Sequence, residues 1–332
     1  MRENQVHAQN LVDWAKDKPE MCVLSGDLTG STEIGPFRDA YPDRFFNLGM
    51  AEQNMLSWAG GMAREGWTPY LHTFAVFLVR RPYDQLAMSV CYPNLPVKLV
   101  GFLPGIMTPG GVTHQAIEDI SLMRGLPNMT VLEVGDARDI ETVLDVAHEV
   151  DGPVYIRMLR GSVPRLFAEP MRLNQSRGIT DGDDVTLFST GICTEEAMRA
   201  VAVLARGGVS VTHRHVSTLK PFTDPIVLDA ARAAKSHVVT VENHNIIGGL
   251  GTAVAETMAE AGVGTPLTRI GIPDTFAHGA TAPYLMDKYG LSAARIVERV
   301  AGLVGASVAA DDGELDAVDV SAEVGEDQLE AL

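Results

Sequence analysis

No stretch of the 332-residue chain stays apolar for anything near the roughly 20 residues that a membrane-spanning helix needs. The first residues, with Arg2, Glu3 and Gln5, lack the apolar core of a secretory signal, so a soluble cytoplasmic protein with no membrane partner is the expectation. Cysteine is scarce. Cys22, Cys91 and Cys193 lie far apart in apolar stretches, which fits small buried hydrophobes better than a disulfide framework or a metal site. Positive charge is short as well: the formal net charge is −17, and no Lys or Arg follows Arg299. That balance argues against nucleic acid, whose phosphates ask for the opposite sign. The segment Asp311 to Glu330 alone holds nine acids, which leaves about −8 for the body of the chain.

What is present is an apolar content of 46%, enough for two α/β domains with sizeable cores. After an opening helix from Val6 to Lys16, short apolar runs alternate with helical patterns. The runs are Met21 to Ser25, the stretch near Phe45, Pro69 to Thr73, Val97 to Phe102, Thr130 to Val134 and Val154 to Met158. Helices are expected at Glu52 to Glu65, Pro82 to Tyr92, Gln115 to Arg124 and Ala137 to Val150. This alternation implies a mainly parallel, doubly wound sheet over residues 1–173. The polar stretch 174–184, with Gly178, Gly182 and several aspartates, reads as a linker. A second, smaller α/β unit follows over 185–305, with strands at Val185 to Ser189, Val209 to Thr212, Val238 to Val241 and Leu267 to Ile270. Residues 306–332 alternate acids with Ala, Val and Gly and hold no aromatic, so a disordered tail is expected.

The chain is organised around Phe45-Phe46-Asn47-Leu48-Gly49-Met50-Ala51-Glu52, where a strand stops at a glycine and a carboxylate opens a helix. The helix dipole lowers the pKa of such an acid and an apolar setting raises it, so the group can be tuned to share a proton with a weakly basic ring nitrogen. An acid that merely complements the dipole is the plainer alternative. Loops that follow strands of a parallel sheet converge on one edge. They bring Asp27 and Ser31, then Glu52, then Phe74, Phe77 and Arg80, then the Gly- and Pro-rich run Gly105 to His114. Phe74 and Phe77 suit a flat pocket for a heteroaromatic ring, although core packing is the commoner fate of phenylalanine. His114, expected at a helix start, suits a neutral proton acceptor or equally a partner for a backbone carbonyl. Arg160 could bind an anionic group of a substrate together with Ser31, or form an interdomain salt bridge. The run Glu242 to Gly251 contains Gly-Gly-x-Gly without a full dinucleotide fingerprint and is read as packing surface ahead of a ligand site.

Taken together these residues resemble a known family. Gly26-Asp27-Leu28-Thr29, Gly49-Met50-Ala51-Glu52-Gln53-Asn54-Met55, Phe74-x-x-Phe77 with Tyr83-Asp84-Gln85, and Thr113-His114-Gln115-Ala116-Ile117-Glu118-Asp119 match the pyrimidine-binding domain of transketolases in order and spacing. Glu242-Asn243-His244 and Arg269-Ile270-Gly271-Ile272-Pro273-Asp274 are similar to the transketolase C-terminal domain. The resemblance covers about Asp13 to Gly302 and implies thiamine diphosphate chemistry. It assigns Glu52 to hold a proton on the pyrimidine ring, Phe74, Phe77 and Arg80 to surround that ring, Asp27 and Met50 to lie against the coenzyme, and His114 to handle substrate hydroxyl protons. The electron sink is the coenzyme's own.

The Gly-Asp-Gly motif with which the family binds diphosphate and a divalent metal is lacking, and Asp181-Gly182-Asp183 falls in the linker. The resemblance therefore implies the C-terminal subunit of a split transketolase, with no metal ligand of its own. Mg2+ or another divalent ion is left to an N-terminal partner subunit in an α2β2 heterotetramer that moves a ketol unit to a sugar or aldehyde. Two departures bear on the substrate. An acid expected four positions before His114 is Gly110, and a histidine expected earlier in the loop falls at Phe102 or Leu103, so a less hydroxylated or unusual substrate is expected. Rival readings are the β subunit of a 2-oxo acid dehydrogenase, a 1-deoxyxylulose-5-phosphate-synthase-like enzyme, and a catalytically silent partner-binding paralogue.

Overall fold

The structure, a computed structural model, describes residues 2–310 and 312–320. Its strands are β1 Arg2–Asn4, β2 Met21–Ser25, β3 Phe45–Asn47, β4 Thr68–Phe74, β5 Lys98–Phe102, β6 Thr130–Glu133, β7 Val154–Met158, β8 Ser162–Pro164, β9 Arg177–Thr180, β10 Val185–Ser189, β11 Val211–His215, β12 Thr218–Lys220, β13 His237–Asn245 and β14 Leu267–Ile272. Residues of β2, β5 and β7 are buried throughout, as expected of parallel strands covered by helices on both faces. They form a seven-stranded sheet in the order β12-β6-β7-β5-β4-β2-β3, parallel except for β12. The second sheet runs β14-β13-β10-β11-β9, parallel except for β9. The fold is thus two doubly wound α/β units, in agreement with the sequence pattern.

The two units are more interlocked than a linker at 174–184 suggests. That stretch contributes β9 to the edge of the second sheet, and β12, which lies beyond it in sequence, crosses back to pair with β6. One apolar core includes Leu71, Leu99 and Tyr155 of the first sheet together with Val216, Leu219 and Leu250. The aspartates of the stretch are tied down as well, Asp181 by Arg214 at 2.6 Å and Asp183 by Lys235.

Three local expectations are corrected. The helix expected from Gln115 begins only at Asp119, and His114 follows a single tight turn over Gly111–Thr113. Arg80 explains this, because its guanidinium takes the carbonyls of Val112 and Gln115 at 3.1 and 2.9 Å and so withdraws acceptors from a helical ladder. The expected helix from Pro82 is short over Tyr83–Gln85 and then unwinds to a wider turn over Leu86–Cys91. The tail is ordered where it is described. A helix over Asp312–Asp316 buries Leu315 in the core of the second unit, and Glu314 pairs with Arg206 at 2.9 Å. Five residues with apolar side chains, Ala306, Val308, Ala310, Leu315 and Val318, anchor a segment whose average composition is acidic. The remainder of the expected tail, 321–332, lies outside the described residues.

Candidate active site

Glu52 opens the helix Glu52–Arg64 at the carboxyl edge of the first sheet. Its side chain is only 3% exposed, and both carboxylate oxygens accept from Nη1 of Arg81, at 2.9 and 3.1 Å. The Arg81 guanidinium in turn lies 4.1 Å above the centre of the Phe77 ring. Phe74 ends β4 and Phe77 follows one turn later, so their rings stack with centroids 5.8 Å apart. His114 meets both edge-on, at 6.4 and 5.5 Å. Its Nδ1 lies 2.8 Å from the Thr113 hydroxyl. Glu52, Phe74, Phe77 and His114 are therefore linked through consecutive contacts, from residues 62 positions apart in sequence at the extremes. Met50, Ala51, Glu52, Gln53, Asn54 and Arg81 line an open depression of about 620 Å³.

Asp27 stands on the neighbouring loop with positive φ and accepts from Asn47 Nδ2 at 2.9 Å, and Asn47 also accepts from the Gly49 amide at 3.1 Å. Met50, just beyond, is 79% exposed. Arg160 and Ser31 do meet, the guanidinium donating to the Ser31 carbonyl at 2.9 Å, with no carboxylate of the second unit on it among the described residues. Arg80 is placed differently from expectation. All three of its nitrogens are spent on Glu118, Val112 and Gln115, so it pins the His114 loop instead of facing the Phe74–Phe77 pair. The residue that does face it is Arg81, whose only signal in the sequence is its adjacency to Arg80.

Comparisons with known proteins give the family. Residues 4–165 match the transketolase pyrimidine binding domain and residues 175–296 the transketolase C-terminal domain. The chain belongs to the transketolase family. Relatives include a putative uncharacterized transketolase family protein of Sinorhizobium fredii, 41% identical over 83% of this chain and 81% of its own. The 6-deoxy-6-sulfo-D-fructose transketolase subunit SqwH of a Clostridium sp. is 38% identical over 86% of this chain and 89% of its own. A solved split gene transketolase, described as an inactive beta4 tetramer, superposes with a TM-score of 0.83 at 37% identity, covering 91% of this chain and 97% of that one. Other relatives are longer. The match spans 48% of the 1-deoxy-D-xylulose-5-phosphate synthase of Thermomicrobium roseum, at 34% identity.

Within this transketolase family chain, the Glu242-Asn243-His244 run serves domain packing. Asn243 accepts from the Ile106 amide at 3.0 Å and donates to the Pro104 carbonyl at 3.1 Å, so the second unit grips the root of the His114 loop. Gly105 has φ +62, and a Cβ there would sit 2.2 Å from the Asn243 side chain, so glycine is required on both counts. Glu242 accepts from the Leu250 and Gly251 amides at 2.6 and 2.9 Å, and burial pushes its carboxyl up to about 7. Burial also lowers His244 to about 4, leaving a neutral ring whose Nδ1 donates to the Asn245 carbonyl at 2.6 Å while Nε2 accepts from the Ser121 amide at 3.4 Å. Deeper still, the wholly buried Arg157 bonds Asp119 at 2.8 Å, pairs with Glu133 and donates to the Asn243 carbonyl at 3.0 Å. Burial opposes its charge, but the Asp119 and Glu133 carboxylates outweigh that and hold the guanidinium above its ordinary value.

The family implies thiamine diphosphate, and the residues present suit its ring half. The Arg81 guanidinium is a planar, N–H-bearing group that sits on an aromatic face and donates to a buried carboxylate, and an aminopyrimidine offers the same features. Among the described residues, no group of three or more His, Cys, Asp or Glu is arranged to hold a metal ion.

Proposed function

We propose that this chain is the C-terminal subunit of a split, thiamine-diphosphate-dependent transketolase that transfers a two-carbon ketol unit to an aldehyde, active only with an N-terminal partner chain. In this reading the partner brings the diphosphate and divalent-ion site, and the assembly is α2β2. The observation that carries it is the buried Glu52 carboxylate joined through Arg81 to the stacked Phe74 and Phe77 beside an open depression, with His114 edge-on to both rings. The coenzyme, when bound, supplies the carbanion chemistry. Glu52 holds a proton on the ring nitrogen, the two phenylalanines exclude water from the ring, and Met50 and Asp27 flank it. His114 exchanges protons with substrate hydroxyls, and Arg160 beside Ser31 takes an anionic group at the far end of the substrate. Arg80 acts indirectly, by fixing the loop that carries His114.

The substrate expectation gains support from packing around Gly110. A Cβ at that position would lie 2.9 Å from the His114 ring, so an acid in that place is incompatible with His114 as it stands. Phe102 is fully buried against His7 and His72, and Leu103 puts an aliphatic side chain on the wall of a cavity, so neither side chain offers a polar contact to a sugar. A substrate with fewer or differently placed hydroxyls fits this loop, and a relative named for a 6-deoxy-6-sulfo sugar supports that reading.

The test is reconstitution. Neither this chain nor its candidate partner alone should turn over, and the mixture should show thiamine-diphosphate-dependent ketol transfer across a panel of aldehydes. Turnover by this chain alone refutes partner dependence. Ordinary xylulose 5-phosphate as the best donor refutes the substrate reading, and decarboxylation of a 2-oxo acid in its place favours the dehydrogenase rival.

A further inference from the structure

We propose that Arg81 is a latch that occupies the ring subsite of this chain before the coenzyme does, and that it must swing out for the ring to enter. The inference rests on the reading that Glu52 and Phe77 receive an aminopyrimidine. Both surfaces which that ring needs are covered by one side chain. Arg81 donates to both oxygens of Glu52, at 2.9 and 3.1 Å, and its guanidinium lies flat enough over Phe77 to bring Cζ within 4.1 Å of the ring centre. A ring bonded to Glu52 and seated on Phe77 requires the volume that the guanidinium fills, so the two are mutually exclusive.

The surroundings are built for such an exchange. The Arg81 side chain is 49% exposed while Glu52 is 3% exposed, so the cation reaches solvent while the acid stays covered. The backbone of Arg81 is held, its carbonyl accepting from Gln53 Nε2 at 3.2 Å, so the side chain can leave without moving the loop. The neighbouring Arg80 is fully committed to Glu118 and to loop carbonyls and cannot take over the contact. With the latch closed, the buried carboxylate is paired instead of standing alone in an apolar setting, which is the costly state for a buried charge. With the latch open, that carboxylate is left to the incoming ring, whose protonated nitrogen replaces the guanidinium.

A latch has a measurable cost in affinity. If the site is open one-tenth of the time, apparent binding is about 10-fold weaker than binding to the open site. The experiment uses the full chain alone with 4-amino-5-hydroxymethyl-2-methylpyrimidine, the ring half of the coenzyme, followed by ligand-observed NMR. The expected result is binding about 10-fold tighter to Arg81→Gln than to the natural chain, with Arg81→Lys between them because an ammonium cannot lie flat on Phe77. In the natural chain, the Arg81 guanidinium resonances should move to free-arginine positions as the probe saturates. Equal or weaker binding to Arg81→Gln overturns the latch, as does probe binding that leaves those resonances in place. Failure of the probe to bind the natural chain and both variants, each shown folded by circular dichroism, overturns the ring-site reading itself and the latch with it.

Discussion

On the proposed reading Glu52 carries the chemistry, because its carboxylate sits at the first turn of a helix, out of water, against the Arg81 guanidinium. Replacing it with glutamine keeps the shape and removes the acid. In the reconstituted enzyme, Glu52→Gln is expected to lower kcat by about 10²- to 10⁴-fold, the usual range for a lost proton-transfer group. Circular dichroism and assembly with the partner should be unchanged, and steady-state kinetics gives the comparison. The same scale explains Gly110. Its lack of a side chain is a packing condition for His114, so Gly110→Asp should displace the histidine and lower turnover on every aldehyde, even though it restores the acid the family usually places there.

At the scale of elements, the loop from Gly105 to Glu118 is shaped from both sides. Arg80 clamps its carbonyls from the first unit, Asn243 holds its root from the second, and Gln115 donates to the Thr108 and His278 carbonyls at 3.3 and 3.4 Å. Asn243→Ala leaves the buried Ile106 amide and Pro104 carbonyl without partners, at a cost of about 2 kcal/mol. Faster amide exchange over residues 105–117 and a lower kcat at unchanged coenzyme affinity are the expected readouts. Helix contact is equally tight beneath the site. A Cβ on Gly60 would fall 2.4 Å from the Ser89 carbonyl, so Gly60→Ala is expected to destabilise the chain by about 1–3 kcal/mol in chemical denaturation.

Over the whole molecule, the two units are joined by buried charge as well as by apolar surface. Arg157 is the hinge pin of that joint, and Arg157→Leu strands Asp119 and Glu133 out of water, so a loss of about 3–5 kcal/mol in unfolding free energy is expected. The interior also holds neutral histidines. Burial lowers His72 and His244 to about 4 and His213 to about 3, and it lowers His7 and His215 as well. Each is uncharged in the fold and takes up a proton on unfolding below its ordinary value near 6.5. Burial works the opposite way on Glu242, at about 7, and on Asp136, at about 6, which release protons on unfolding. Burial raises Glu33, Glu133 and Glu196 too, but with His148 the lowered histidines are six against five raised acids, and Asp139 and Glu141, both held low in the fold, take up protons as well, so unfolding takes up protons on balance. Stability should therefore fall as pH drops from about 6.5 toward 4, by about 1.4 kcal/mol per pH unit for each net proton. A melting temperature at pH 5 equal to or above that at pH 7 would contradict this.

The sequence by itself determined the alternation of buried strands and amphipathic helices, because burial on both faces of a parallel sheet writes itself as unbroken apolar runs such as Met21 to Ser25. It also determined the residues at the carboxyl edge, since a short loop after each strand has few places to go; Glu52, Phe74, Phe77 and His114 were legible for that reason. Tertiary structure alone decided which of two adjacent arginines faces the acid, why His114 sits on a loop instead of a helix end, and how β12 crosses between sheets. It also decided that Leu315 draws an acidic tail onto the second unit. Those outcomes depend on carbonyls, cavities and side-chain directions contributed by residues tens of positions away, and periodicity along the chain carries no record of them.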